Sequence, residues 1–135
     1  MSTQANGGIE TQSWDEQTIE ELGDGRKTTR VSATSKLSGD IEGESRVEFL
    51  LAYTGDDYCS FVGIERVSGN IGGRQGSFVL QQQGTFENGG IRLTWFVVPG
   101  SGSDGLSGLH GEGGYVWNGE HGVPTPYTLD YDFDA

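Results

Sequence analysis

The sequence predicts an all-β fold of about eight antiparallel strands closed into a barrel. Three observations predict it. Strand-length stretches rich in Val, Ile, Thr, Phe and Tyr alternate with Gly-Gly, Asn-Gly and Ser-Gly pairs, and runs of that length bounded by turn residues at short spacing mark antiparallel sheet. The 24 glycines supply turns and bulges, since glycine adopts φ > 0 without steric cost. No segment sustains a 3.6-residue apolar period.

Residues 1–7 read as a frayed lead-in to a single domain spanning 1–135. Ile9–Trp14 alternates as a first strand, with Ile9, Thr11 and Ser13 on one face and Glu10, Gln12 and Trp14 on the other. Asp15–Gly25 holds five carboxylates and reads as a solvated loop ending in the turn Gly23-Asp24-Gly25. A helical turn over Glu16–Leu22 is the alternative there, though it has few apolar anchors. Lys27–Leu37 has the Thr/Ser/Val composition of a strand. Gly39-Asp40 and Glu42-Gly43 bracket a turn or bulge.

Arg46–Thr54 is the clearest strand of the first half, ended by Gly55-Asp56-Asp57. Tyr58–Ser68 follows, then a glycine-rich connection over Gly69–Gly76. Ser77–Phe86 and Ile91–Val98 flank the hairpin signal Asn88-Gly89-Gly90. Pro99 stops the second of them, because proline cannot donate to a ladder. Gly100–Gly108 is a loop, Ser107–Tyr115 leads into a strand, and Asn118–Thr125 is a polar loop. Pro126–Phe133 alternates almost without fault. Tyr127, Leu129, Tyr131 and Phe133 share one face, and Thr128, Asp130, Asp132 and Asp134 the other, as expected of a strand with one buried and one wet side.

Composition narrows the function classes. A net charge of −12 repels phosphate backbones and anionic lipid surfaces, so neither nucleic acid nor membrane is an expected partner. Cys59 is the single cysteine, so no internal disulfide forms and cytoplasmic residence is expected. Residues 1–8 lack the apolar core of a signal peptide. In Phe49-Leu50-Leu51 and Phe96-Val97-Val98 both faces are apolar. A covering layer or a second subunit is expected there, a homo-oligomer and most simply a dimer.

Several phrases carry a resemblance. They are SWDE (13–16), GDIEGE (39–44), SFVGIERVSGNIGGRQGSFVLQQQGTF (60–86), VVPGSGSDGLSGLHGEGGY (97–115) and PYTLDYDF (126–133). They resemble a bacterial family catalogued as a domain of unknown function, over nearly the whole chain. The resemblance implies a barrel similar to allene oxide cyclase, of the lipocalin and dirigent kind of architecture. It implies no particular reaction, and no catalytic residue is carried over from those enzymes.

The candidate chemistry rests on a few side chains. Glu65 shares a strand face with Phe61, Gly63 and Val67. Turned inward, it would be desolvated, its neutral form favoured, and suited to general acid work. Turned outward, or paired with an arginine, it would be structural. Glu48 is a second candidate acid, with an outward or interface carboxylate as the bland reading. Gln81 and Gln83 point one way and Gln82 the other; the first two are candidate orienting amides, with hydrogen bonding to neighbours inside the barrel as the bland reading. Tyr53, Trp95 and Tyr115, with Trp117, line an aromatic cavity or simply fill a core. His110 and His121 show no ligand spacing, so no metal is expected, and no cofactor motif is present. The expected function is a small-molecule barrel for an apolar or aromatic metabolite, acting as a cofactor-independent isomerase or cyclase or as a binder. The alternative is a non-catalytic scaffold with a packed interior.

Overall fold

The computed structural model describes residues 2–119 and 123–134. Eight strands follow one another: β1 (Thr3–Gly23), β2 (Arg26–Gly39), β3 (Ile41–Thr54), β4 (Tyr58–Ile71), β5 (Arg74–Glu87), β6 (Gly90–Val97), β7 (Leu109–Trp117) and β8 (Thr125–Phe133). Each pairs antiparallel with the next, and β8 returns to β1, so the strands form a closed ring. Among the described residues the only helical piece is one 3₁₀ turn, Asp104–Leu106. Among the described residues no helix is long and apolar enough to cross a membrane.

Turn chemistry explains the meander, and the strands run further than composition suggests. Thr3–Ile9, most of it expected to fray, pairs residue by residue with Tyr131–Thr125 of β8. Ala5 anchors it, 1% exposed. The acidic Asp15–Gly23 is neither loop nor helical turn. It continues β1 along β2, with Glu21 opposite Lys27 and Gln17 opposite Arg30. The ladder with β2 replaces burial as the local support there, and the side chains are exposed as the carboxylates predict. Gly39-Asp40 is a tight corner, and Glu42-Gly43 lies within β3 rather than in a turn. The Gly69–Gly76 connection shrinks to Gly72-Gly73.

Glycines at one level let the sheet coil sharply. Gly43, Gly69 and Gly76 sit side by side on β3, β4 and β5. A Cβ on Gly69 would lie 2.7 Å from the Gly43 Cα, and one on Gly43 would lie 2.8 Å from the Gly69 Cα. Neighbouring backbones leave no room for any side chain.

The two ends of the ring differ. At the end holding the Gly39-Asp40 and Gly72-Gly73 corners, Leu37, Ile41, Ile71, Phe78, Leu109 and Leu129 are buried. The 98–108 loop closes this end. Ser103 N–H donates to Ser77 O at 2.9 Å, the two serine hydroxyls lie 2.8 Å apart, and Leu106 is completely buried. Tyr127 is buried here too. Its hydroxyl accepts from Ile41 N–H at 3.0 Å and lies 2.9 Å from Ser38 O, to which it donates. Tyr127→Phe leaves the buried Ile41 amide without its partner and takes the donor from Ser38 O, and is expected to cost about 1–3 kcal/mol. Urea denaturation checks it: an unchanged midpoint would show that water replaces the phenol.

Candidate functional site

The other end is hollow. A cavity of about 710 Å³ opens there, within the range of roughly 300–1,000 Å³ typical of small-molecule sites. Its walls are inward residues of the strands, chiefly Ile9, Val47, Phe49, Leu51, Phe61, Phe86 and Ile91, with Tyr53, Tyr115 and Trp117 adding aromatic surface. Gly63 makes room for one of them, since a Cβ there would come within 2.9 Å of the Phe49 ring. The Phe49 and Phe61 rings then meet edge to face at 5.2 Å.

Glu65 lies on the cavity wall and is 2% exposed. Alternation along β4 turns it inward with Phe61 and Val67. It accepts hydrogen bonds from Ser45 Oγ, at 2.5 Å, and from Gln82 Nε2. Burial pushes its pKa up, and these two hydrogen bonds only partly oppose the rise. No cation is among the groups that act on it. Ser35, Ser45, Glu65 and Gln82 are thus buried polar residues on four consecutive strands. Ser35 pairs with Ser45 in register, so they form a polar band across an otherwise apolar interior. The Gln82 Oε1 atom is buried without a partner.

Tyr115 lines the same cavity. Burial and then the charge of Glu65 raise its pKa, so the phenol stays protonated and able to donate. Trp95, behind it, meets its ring edge to face at 5.5 Å and donates its indole N–H to Thr128 O at 3.0 Å. Trp95 is 3% exposed and positions Tyr115 as part of the core.

Tyr53 stands at the mouth. Its hydroxyl donates to Glu16 at 2.6 Å, alongside Thr29 Oγ1 at 2.8 Å and Trp14 Nε1 at 3.2 Å, and Lys27 Nζ lies 4.9 Å from its ring centre. Burial pushes the Glu16 pKa up. The three hydrogen bonds and the Lys27 charge outweigh it and hold the carboxylate below its ordinary value. Glu16 is therefore the ionised acid of this end, and Glu65 the group whose neutral form is favoured. Cys59 also lines the cavity, with its thiol pushed up to about 11 by burial and by Glu16; it is a poor nucleophile.

Glu48, Gln81 and Gln83 do not join this site. Glu48 is on the outer face, its Oε1 2.6 Å from Arg30 Nη2, and its pKa is lowered by hydrogen bonds from Ser32 and Arg30. Gln81 and Gln83 are exposed on the outer face, and Gln82 is the glutamine that turns inward. The signal was present: Phe78, Leu80 and Gln82 are in phase on β5, and the first two are apolar. Glu16 and Trp14 were missed for another reason. A bulge between Thr11 and Ser13 shifts the β1 register, so that Thr11 faces Ser35 while Trp14 faces Ala33. Both β2 partners point inward, and Trp14 joins the face of Ile9. His110 is exposed, 3.4 Å from Asp134, and His121 lies outside the described residues. Among the described residues no three ligand-type side chains gather round a metal position.

A ring of antiparallel strands, packed at one end and hollow at the other, with a buried carboxyl on the cavity wall, defines a small all-β protein with an internal pocket. The chain belongs to the DUF3224 family, whose model, described as a protein of unknown function, matches residues 5–131. It is similar to the crystal structure of a DUF3224 protein of unknown function from Shewanella oneidensis MR-1, with 28% identity, all of both chains covered and a TM-score of 0.77. No curated protein matches the chain.

Proposed function

We propose that this chain is a small-molecule-binding barrel of allene-oxide-cyclase-like architecture. Its cavity takes an apolar, aromatic-sized metabolite carrying one acceptor oxygen, such as a carbonyl, ether or epoxide. The observation that carries this reading is Glu65, a carboxyl without a cation on the wall of an apolar cavity of about 710 Å³. A neutral carboxylic acid donates one hydrogen bond, and Tyr115 supplies a second donor. Behind the carboxyl, Gln82 Nε2 serves Glu65 while its own Oε1 has no partner.

The same arrangement supports an isomerisation or cyclisation that needs no cofactor. Glu65 gives its proton to the substrate oxygen as a bond to that oxygen or an adjacent double bond shifts, and the resulting carboxylate takes a proton back from the product-forming cation. Atoms balance, and the acid is regenerated. Glu48, Gln81 and Gln83 take no part. The buried, unpaired Cys59 fits a reducing cytoplasm.

Titration with the neutral fluorophore N-phenyl-1-naphthylamine tests the reading. Wild type is expected to bind it and to release it to apolar metabolites extracted from the native host. Ala33→Trp, which fills the cavity from β2, is expected to abolish the signal. A wild type that fails to bind, or a filled variant that binds equally well, would overturn the assignment.

A further inference from the structure

One side of β1 has no neighbour over its second half. β8 pairs with Thr3–Ile9 and goes no further, while β2 follows β1 to Gly23. From Glu10 to Gly23 the strand therefore has a ladder on one edge only. Among the described residues no loop backbone bonds to the other edge either. Every side chain of this stretch is exposed, so neither sheet face is covered there. Such an edge presents a row of unpaired N–H and C=O groups, a template for another strand.

The bulges of β1 give this edge a defined length. Register shifts fall between Thr11 and Ser13, between Thr18 and Glu20, and between Glu21 and Gly23. Between the first two, Ser13–Thr18 runs in unbroken register with Thr34–Thr29. That run spans about 17–20 Å, the usual length of one strand.

Its chemistry selects the partner. Asp15, Glu16, Glu20 and Glu21 lie within the run or just beyond it. Glu16 is taken up by Tyr53, Thr29 and Trp14. Among the described residues Asp15, Glu20 and Glu21 enter no salt bridge; Arg30 is drawn to Glu48, and Lys27 lies over the Tyr53 ring. Bulges and unmatched carboxylates keep a like strand away, which removes a second copy of this acidic chain as the occupant. The same carboxylates attract a basic strand. β2, on the other edge, shows what such a strand looks like: Arg26, Lys27, Arg30 and Lys36 are spaced by Thr, Ser, Val and Ala. Trp14, 52% exposed, adds apolar surface within the run.

We infer that the free edge of β1 at Ser13–Thr18 docks an extended basic segment of another protein, which adds as a strand and sets Lys or Arg against Asp15 and Glu20. The backbone ladder supplies affinity, and the carboxylates choose the partner. The net charge of −12 draws such a segment in from a distance. β1 offers this edge whether or not the cavity holds a ligand.

A fluorescent peptide with the sequence of residues 27–36, KTTRVSATSK, is the probe. Its anisotropy is expected to rise on adding the protein. Hydrogen exchange is expected to slow at the amides of Ser13–Thr18 that point away from β2. The same peptide carrying Thr28→Pro, Val31→Pro and Thr34→Pro keeps every charge but lacks donors on both of its edges, and is expected not to bind. In the protein, Asp15→Lys with Glu20→Lys lies outside the Tyr53–Glu16 cluster and is expected to weaken the unmodified peptide about tenfold. The proline peptide is read on wild-type protein, so that comparison holds even where the charge variant misfolds. A wild type that does not bind the unmodified peptide overturns the inference. So does equal binding of the proline peptide, binding that leaves exchange at Ser13–Thr18 unchanged, or a folded charge variant that binds as tightly as wild type.

Discussion

Glu65→Gln is expected to gain stability over wild type as pH rises. The carboxyl is buried with two hydrogen-bond donors and no cation, and burial raises its folded pKa above the unfolded value. The folded state then binds the proton more tightly than the unfolded state. Between the two pKa values the unfolded chain carries fewer protons, so stability falls with increasing pH. The favourable contribution is complete below the unfolded pKa and is lost as pH rises through the folded pKa. Glutamine keeps the shape and carries no charge. The difference in melting temperature, variant minus wild type, should therefore be small in acid and grow toward alkaline pH. Each unit of upward shift corresponds to about 1.4 kcal/mol. Melts in steps from pH 4.5 to 9 check it. A variant destabilised equally at every pH would mean that an ionised Glu65 is accommodated by the polar band, and the neutral-acid account would fail. Within the proposed binding function, the same substitution should weaken ligands with an acceptor oxygen more than pure hydrocarbons.

That prediction depends on a direction the sequence supports at Glu65 and leaves hidden nearby. In β4, Phe61 and Val67 are in phase with Glu65, while Val62 and Ile64 turn outward. Apolar residues flank Glu65 on both faces, so alternation alone proposes an inward acid without excluding an outward one. Three glutamines in a row have no polarity contrast, and only the upstream Phe78 and Leu80 set their phase. In β1 the obstacle is geometric. The bulge after Thr11 inserts an extra residue, and nothing in Gln12-Ser13-Trp14 announces it, so strict alternation carries Trp14 and Glu16 to the wrong face. The acidic end of β1 is a strand because β2 is beside it, and a pairing partner is not a property of the segment itself. The Ser45–Glu65–Gln82 contact joins three strands and needs the register as well as the faces.

Trp95 is the residue whose loss should reach both the fold and the pocket. It is 3% exposed, packs edge to face on Tyr115 at 5.5 Å and lies 6.2 Å from the Tyr127 ring. Trp95→Ala is expected to cost about 3–5 kcal/mol, the usual range for truncating a buried indole. Trp95→Phe retains an aromatic ring against Tyr115 and loses only the bond to Thr128 O. Its cost should be about 1 kcal/mol plus a packing adjustment, the usual net worth of one hydrogen bond. The two variants separate packing from hydrogen bonding, and urea midpoints measure both. Equal losses would show that the indole N–H, rather than the ring, holds β6 against β8. The pocket gives a second readout. With the indole gone, Tyr115 loses the ring it packs against, so Trp95→Ala, at temperatures where it remains folded, should bind N-phenyl-1-naphthylamine less tightly than Trp95→Phe. Packing behind the wall then determines the geometry within it: under the proposed binding function, the core tryptophan would act on ligand affinity through Tyr115 without lining the cavity itself.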